Sequence, residues 1–361
     1  MHGGDVLGVA AAFGVDPATL IDFSANINPL GPSQNVRDAI ASAAVDISSV
    51  TRYPQPHAPV LTQKIAARYG IDRSSIVIGH GTAGLLHAVM RAFRPRTMLV
   101  PIPAFSEYSH ACAATGCELL PYPLCQKNDF HLDTAAFIAC MLRERPDMVL
   151  INTPHNPSGS LVNRRDVLAI ADAANAIGAV TLIDEAFIDY ISEESVLREA
   201  SAKESIVVLR SFTKFYAFPS LRVGYAVASI NNARRIERML PSWPVSTIAL
   251  IAAEAAVDDF EFEQRSLEHN TNERARLTET LASTTLRVIP SAANYLLLDC
   301  KMLGVTSAVL RNQLITNHAI IVRDCGDYAS FTNEAFIRIA IRTNAENNHL
   351  LAALRLLEPA R

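Results

Sequence analysis

From about residue 60 to 230, short runs dense in Val, Ile and Leu alternate with windows whose apolar positions recur every three or four residues. That rhythm predicts a mostly parallel sheet lying between helices. The predicted strands are 75–78, 97–101, 118–122, 148–151, 180–184, 206–209 and 222–227, with helices at 60–69, 84–93, 105–115 and 165–177. Seven strands with helical crossovers make one large α/β unit. Past residue 245 the pattern changes to a buried helix at 246–257 and a long helix, polar on one face, at 258–282. A smaller α+β unit follows, with strands at 293–299, 319–323 and 336–341 and helices at 305–317 and 346–357. The first 45 residues, broken by Asn28-Pro29-Leu30-Gly31-Pro32, are expected to pack on this C-terminal unit. The expected organisation is a large domain of residues 46–260 and a small domain of 1–45 with 261–361.

A chain of 361 residues that is 50% hydrophobic and 19% charged can bury the cores of two such domains. Its 32 Lys and Arg against 36 Asp and Glu leave a net charge of -4 with no basic block, which argues against a nucleic-acid partner. The six cysteines form no CxxC pair, so they read as buried thiols in a reducing compartment and not as a zinc site or disulfide framework. The N-terminal stretch lacks the positive flank of a signal peptide, and no stretch is long enough to span a membrane. A soluble cytoplasmic protein, with no membrane partner and no metal, is therefore expected. No internal repeat or low-complexity segment interrupts the pattern.

Several segments at strand ends could carry chemistry. In Ser211-Phe212-Thr213-Lys214 a lysine follows a strand among hydroxyls, where desolvation favours the neutral amine; Arg222 lies eight residues on. Alone, a surface lysine on a turn is the commoner reading. Thr181-Leu182-Ile183-Asp184-Glu185-Ala186-Phe187 places a carboxylate at a strand's C-terminal end, where open α/β sheets bind ligands; Asp184 could pair with a ring nitrogen or simply cap the next segment. Gly79-His80-Gly81-Thr82-Ala83-Gly84, between strand and helix, could cradle a phosphate or be a plain turn. Thr153-Pro154-His155-Asn156-Pro157-Ser158-Gly159 offers Asn156 on a rigid loop or is only a tight connection. Arg338 and Arg342 share a face of the strand 336–341 and could each fork onto a carboxylate or phosphate; a solvated strand face is the alternative.

Taken in order, the glycine loop, TPHNPSG, TLIDEAF, SFTK and the arginine eight residues on resemble the class I and II aminotransferase family over essentially the whole chain. The resemblance implies fold type I and the cofactor pyridoxal 5'-phosphate. His2-Gly3-Gly4, the run Asp22-Phe23-Ser24-Ala25-Asn26-Ile27-Asn28-Pro29-Leu30-Gly31, and Phe187 are similar to a branch that decarboxylates phosphorylated amino acids. A near branch, which transaminates histidinol phosphate with 2-oxoglutarate, shares Arg52-Tyr53-Pro54 and Val322-Arg323-Asp324. The implied substrate is L-threonine O-3-phosphate, with serine phosphate only a methyl away, a difference worth about 1–3 kcal/mol.

Residue by residue, the resemblance gives Lys214 the covalent hold on the cofactor and later proton transfer, and Asp184 the pairing with the ring nitrogen. Asn156 would donate to the ring's phenolic oxygen and Tyr108 would stack on the ring. Gly81, Thr82, Ala83, Ser211 and Arg222 would hold the cofactor phosphate, joined by Tyr53 reaching across from the other subunit of a homodimer with shared sites. Arg338 would grip the substrate carboxylate, with Asn28 close by, while Arg323 and His2 would take the substrate phosphate. Three positions depart from the wider family: Phe187 stands for a tyrosine, His80 for an asparagine and Gly84 for a glutamate. A non-catalytic binding protein on the same fold is disfavoured by intact Lys214, Asp184, Asn156 and Arg222. A nicotinamide dehydrogenase would fit the α/β rhythm, but no glycine fingerprint follows the first strand.

Overall fold

The computed structural model describes residues 3–328, 331 and 335–357. In chain order its strands are β1 Ile21–Asp22, β2 Ile76–Gly79, β3 Thr97–Ile102, β4 Glu118–Pro123, β5 Met148–Asn152, β6 Val180–Asp184, β7 Ile206–Ser211, β8 Gly224–Ala228, β9 Arg287–Ile289, β10 Tyr295–Asp299, β11 Ile320–Ile321, β12 Arg323–Asp324 and β13 Phe336–Ala340. Seven of them form one sheet in the order β2-β8-β7-β6-β5-β3-β4, parallel except for β8, which runs against both neighbours. Every residue of β5 is buried, as a sheet covered on both faces requires, and this is why 148–151 is a continuous apolar run. One core, with Leu99, Val149, Ile183 and Val208, lies on one face of the sheet. The other, with Met98, Leu150, Leu182 and Val207, lies on the opposite face, following the alternation along each strand.

The smaller sheet is antiparallel, in the order β12-β13-β10-β9, and its apolar face packs with Phe23, Leu277, Leu310 and Leu350. β1 pairs in parallel with β11, and Ala340 donates its N–H to the Phe23 carbonyl, so residues 21–23 are tied to this unit. The helix Gln34–Val45 does not follow them, which departs from the expected grouping of residues 1–45. Its Val36 and Ile40 pack into the large sheet's core beside Leu250 and Ala253, because the N-terminal segment crosses from one unit to the other at Asn28. The expected strand 319–323 divides in two around Val322, β11 pairing with β1 and β12 with β13.

One buried ionic cluster fixes the strand ends that carry the site. Arg210 on β7, 1% exposed, donates to Glu185 at 3.1 Å and to Asp189 at 2.5 Å, and also to the Tyr69 and Ser195 hydroxyls. Removing the cation strands two buried carboxylates, and breaking such a group from one side costs about 3–5 kcal/mol. Arg210→Ala is therefore expected to lose stability on that scale in urea unfolding; a loss under about 1 kcal/mol would contradict the cluster's role.

Candidate functional site

The helix Gly81–Phe93 starts at Gly81, three residues earlier than the pattern suggested, so the glycine loop is itself the first helical turn. His80 at the cap makes no side-chain bond to that turn and no acid lies in it, so its N–H groups are of the kind that can receive an anion. Gly81 has φ +67, a left-handed conformation that favours glycine, and a Cβ there would come within 3.1 Å of the Arg222 guanidinium. Arg222 lies just before β8, at φ +53, and its guanidinium donates only to the Pro219 carbonyl, at 3.3 Å, with no carboxylate partner among the described residues. Ser211, at the end of β7, is buried and shares a hydroxyl–hydroxyl bond of 2.7 Å with Thr213.

Lys214 follows directly on that turn. Its carbonyl accepts the Asn28 N–H at 3.0 Å, and its amine makes no hydrogen bond or ion pair among the described residues. Burial, then the positive charges of Arg338 and Arg222, lower the amine to about 8 against the pull of Asp184. Those neighbours come from three separate elements: the end of β6, the stretch just before β8, and the middle of β13. Asp184, at the end of β6, accepts from the Tyr108 hydroxyl at 2.7 Å and from the Ala186 N–H at 3.0 Å. Burial pushes its carboxyl up, while these two bonds and Lys214 draw it back.

On the far side, Arg338 of β13 is only 6% exposed, so the solvated-face reading of this strand does not hold. It donates to the Asn156 side-chain oxygen and, at 2.9 Å, to the Ser24 carbonyl. Arg323 of β12 stands directly opposite Arg338 in the antiparallel register and bonds Asp327 at 2.8 Å. Two cations side by side across a strand pair repel unless anions lie with them. Arg342 falls beyond the end of β13, where it binds the Asp22 carbonyl and Glu346; it belongs to the tie between the termini and not to this face.

The other expected residues each have surroundings of their own. Asn28 is buried beside Lys214, but its amide is committed to the Phe215 carbonyl and the Ser266 hydroxyl, both at 2.8 Å, so it braces the lysine's turn. Tyr108 offers its hydroxyl to Asp184 in addition to a ring face. Tyr53 is 78% exposed and stacks on Trp243 with centroids 4.2 Å apart, away from Lys214. His2 lies outside the described residues. His155 and Tyr295 also border Asn156 and Arg338, though neither stands out in the sequence: one hides in a proline turn and the other in an apolar strand.

These groups fit pyridoxal 5'-phosphate. An uncapped helix start, a glycine that leaves room under Arg222, a depressed amine and a buried carboxylate match its phosphate, aldehyde and ring nitrogen in turn. Among the described residues no cluster of His, Cys, Asp or Glu could hold a metal ion, and no helix is long and apolar enough to cross a membrane.

Residues 18–354 match the family Aminotransferase class I and II. The chain is 36% identical to the threonine-phosphate decarboxylase of Salmonella typhimurium, covering 98% of this chain and 95% of that protein. It is 30% identical over 98% of its length to the adenosylcobalamin biosynthesis bifunctional protein CobDQ of Leptospira interrogans, of which it spans 40%. The histidinol-phosphate aminotransferase of Sinorhizobium meliloti, solved in complex with pyridoxal-5'-phosphate, superposes with a TM-score of 0.86 at 24% identity, covering 97% of this chain and 93% of that one.

Proposed function

Because this chain belongs to the class I and II aminotransferase family and is a pyridoxal-phosphate enzyme, we propose that it decarboxylates L-threonine O-3-phosphate, giving (R)-1-aminopropan-2-yl phosphate and CO2 for cobalamin assembly. The observation that carries this reading is the pair Arg323 and Arg338, set opposite each other in register across β12 and β13, with the Arg338 charge felt at the Lys214 amine. A substrate with a phosphate at one end and a carboxylate at the other satisfies both. The full-length similarity to a threonine-phosphate decarboxylase supports the same choice.

Bound here, the cofactor supplies a protonated pyridine ring that takes up the electron pair freed when a bond at the substrate's Cα breaks. The N–H groups of Gly81, Thr82 and Ala83, the Ser211 hydroxyl and Arg222 would hold its phosphate; Asp184 would keep its ring nitrogen protonated and Asn156 would donate to its phenolic oxygen. Phe187 contributes no hydroxyl, so Asn156 works there without the second donor that a tyrosine would add. Tyr108 would cover the ring while its hydroxyl steadies Asp184. Arg338 takes the substrate carboxylate and Arg323 the phosphate. With both ends fixed, the substrate would be held in one orientation, and that orientation would select which bond at Cα breaks. Lys214 then returns a proton to Cα. The working unit is a homodimer in the cytoplasm, with exposed Tyr53 reaching the site of a second copy.

The purified enzyme with pyridoxal 5'-phosphate is expected to release CO2 from threonine phosphate without any keto acid, faster than from serine phosphate. The histidinol-phosphate aminotransferase among its structural relatives gives the contrary outcome a definite form. No release, together with turnover of histidinol phosphate only when 2-oxoglutarate is added, would replace decarboxylation by transamination.

A further inference from the structure

Asn156 and Arg338 come from separate units, one on the loop after β5 and the other on β13, yet their side chains are bonded to each other. Something must hold that loop and that strand at a constant separation. The loop is anchored through His155. Its Nε2 lies 2.8 Å from the Pro103 carbonyl, which can only accept, so Nε2 carries the proton. Its Nδ1, 2.7 Å from the Ser158 hydroxyl, accepts in return. Burial pushes the imidazole down to about 4, so the ring stays neutral and holds this tautomer around neutral pH. The ring thus spans two loops, its own and the one after β3 that leads into the helix Ser106–Thr115 and Tyr108.

The second anchor is Tyr295, the first residue of β10, which is fully buried. Its hydroxyl donates to the His155 carbonyl at 2.8 Å, while the Arg338 guanidinium lies over its ring at 5.3 Å from the centroid. Phe187 also meets that ring, edge-on at 5.0 Å. Just upstream, Ala292 donates to the Gly159 carbonyl at 2.8 Å, and a Cβ on Gly159, at φ +79, would overlap Ser291. The loop is pressed against the lead into β10 at both of its ends.

We infer that Tyr295 and His155 are positioning residues that set the distance between Asn156 and Arg338, and through it the substrate carboxylate relative to the cofactor ring. The inference rests on the proposed grip of Arg338 on that carboxylate. Tyr295 touches Arg338 by its face and the loop by its hydroxyl, so the two contacts can be cut separately: Tyr295→Phe leaves the ring under the guanidinium and removes only the bond to His155.

The test uses the holoenzyme as wild type, Tyr295→Phe, His155→Ala and the double variant. Two readouts are taken: the pH midpoint of the cofactor's visible absorption, which Asn156 influences without substrate, and KM and kcat for threonine phosphate. Each single variant is expected to raise KM about five- to tenfold, the worth of one buried hydrogen bond, with kcat down less than threefold. Each is also expected to shift the absorption midpoint, and the double variant to be no worse than the more severe single one, as for two parts of one brace. Tyr295→Phe indistinguishable from wild type in both readouts, or fully multiplicative effects in the double variant, would overturn the inference. If the wild type leaves threonine phosphate untouched, the substrate reading fails on its own, and the absorption midpoint still decides the brace.

Discussion

Lys214→Ala should leave a folded protein whose turnover is below about one-thousandth of wild type, the scale on which a positioned proton-transfer group contributes. Lys214 has the features of a nucleophile and none of a structural lysine. Lys64 and Lys203 are held by Asp258 and Asp172, whereas the Lys214 amine makes no ion pair among the described residues and feels the charges of Arg338 and Arg222 against that of Asp184. With a pKa near 8 in place of the usual value near 10.5, it is a neutral amine for a useful fraction of the time around neutrality. The sign gives a second readout on the unmodified chain. Capture of pyridoxal 5'-phosphate by the apoprotein, followed by its absorbance, should speed up about tenfold per pH unit below 8 and level off above it, because only the unprotonated amine attacks an aldehyde. Arg338→Gln removes a charge that lowers this pKa, so the levelling point should move to higher pH. Turnover retained in Lys214→Ala, or a capture rate flat from pH 6 to 9, would take the lysine out of this role.

How much of this was readable in advance depends on whether a feature is local. The large sheet was legible because its inner strands are buried on both faces and so appear as largely apolar runs, with the chemical residues Asp184, Ser211 and Lys214 at or just past their C-terminal ends. The helix Thr134–Glu144 escaped notice since only Phe137 and Met141 of it are buried, too few to mark a stripe. Arg323 and Arg338 could each be named from their segments, but their direct opposition depends on the register of β12 against β13. Tyr295 was invisible for the same reason: an aromatic in an apolar strand means core until the strand is seen to end beside His155. Asn28 shows the reverse case, a residue expected near the substrate carboxylate whose amide holds the backbone at Phe215 and the Ser266 hydroxyl.

The register also explains why Asp184 should be the second most sensitive position. Lying opposite Asn152 on β5 and Leu209 on β7, it cannot move away from the sheet end, and the Tyr108 hydroxyl and Ala186 N–H hold one carboxylate oxygen each. Burial favours the neutral acid, which cannot stabilise a protonated ring nitrogen; the two hydrogen bonds and the nearby Lys214 oppose that tendency without cancelling it. Asp184→Ala leaves the ring nitrogen without its countercharge in a dry site. Losing one member of such a pair costs about 3–5 kcal/mol, or two to nearly four orders of magnitude if it is felt wholly in the transition state. Asp184→Asn keeps the shape and should lose kcat on the same scale with its unfolding midpoint near wild type, separating charge from packing. Tyr108→Phe removes a bond that lowers the Asp184 pKa, so the acid limb of kcat against pH should move to higher pH, with a milder loss at neutrality. Asp184→Asn with wild-type kcat would mean that the ring nitrogen needs no anionic partner, and the electron-accepting role of the ring in this site would have to be abandoned.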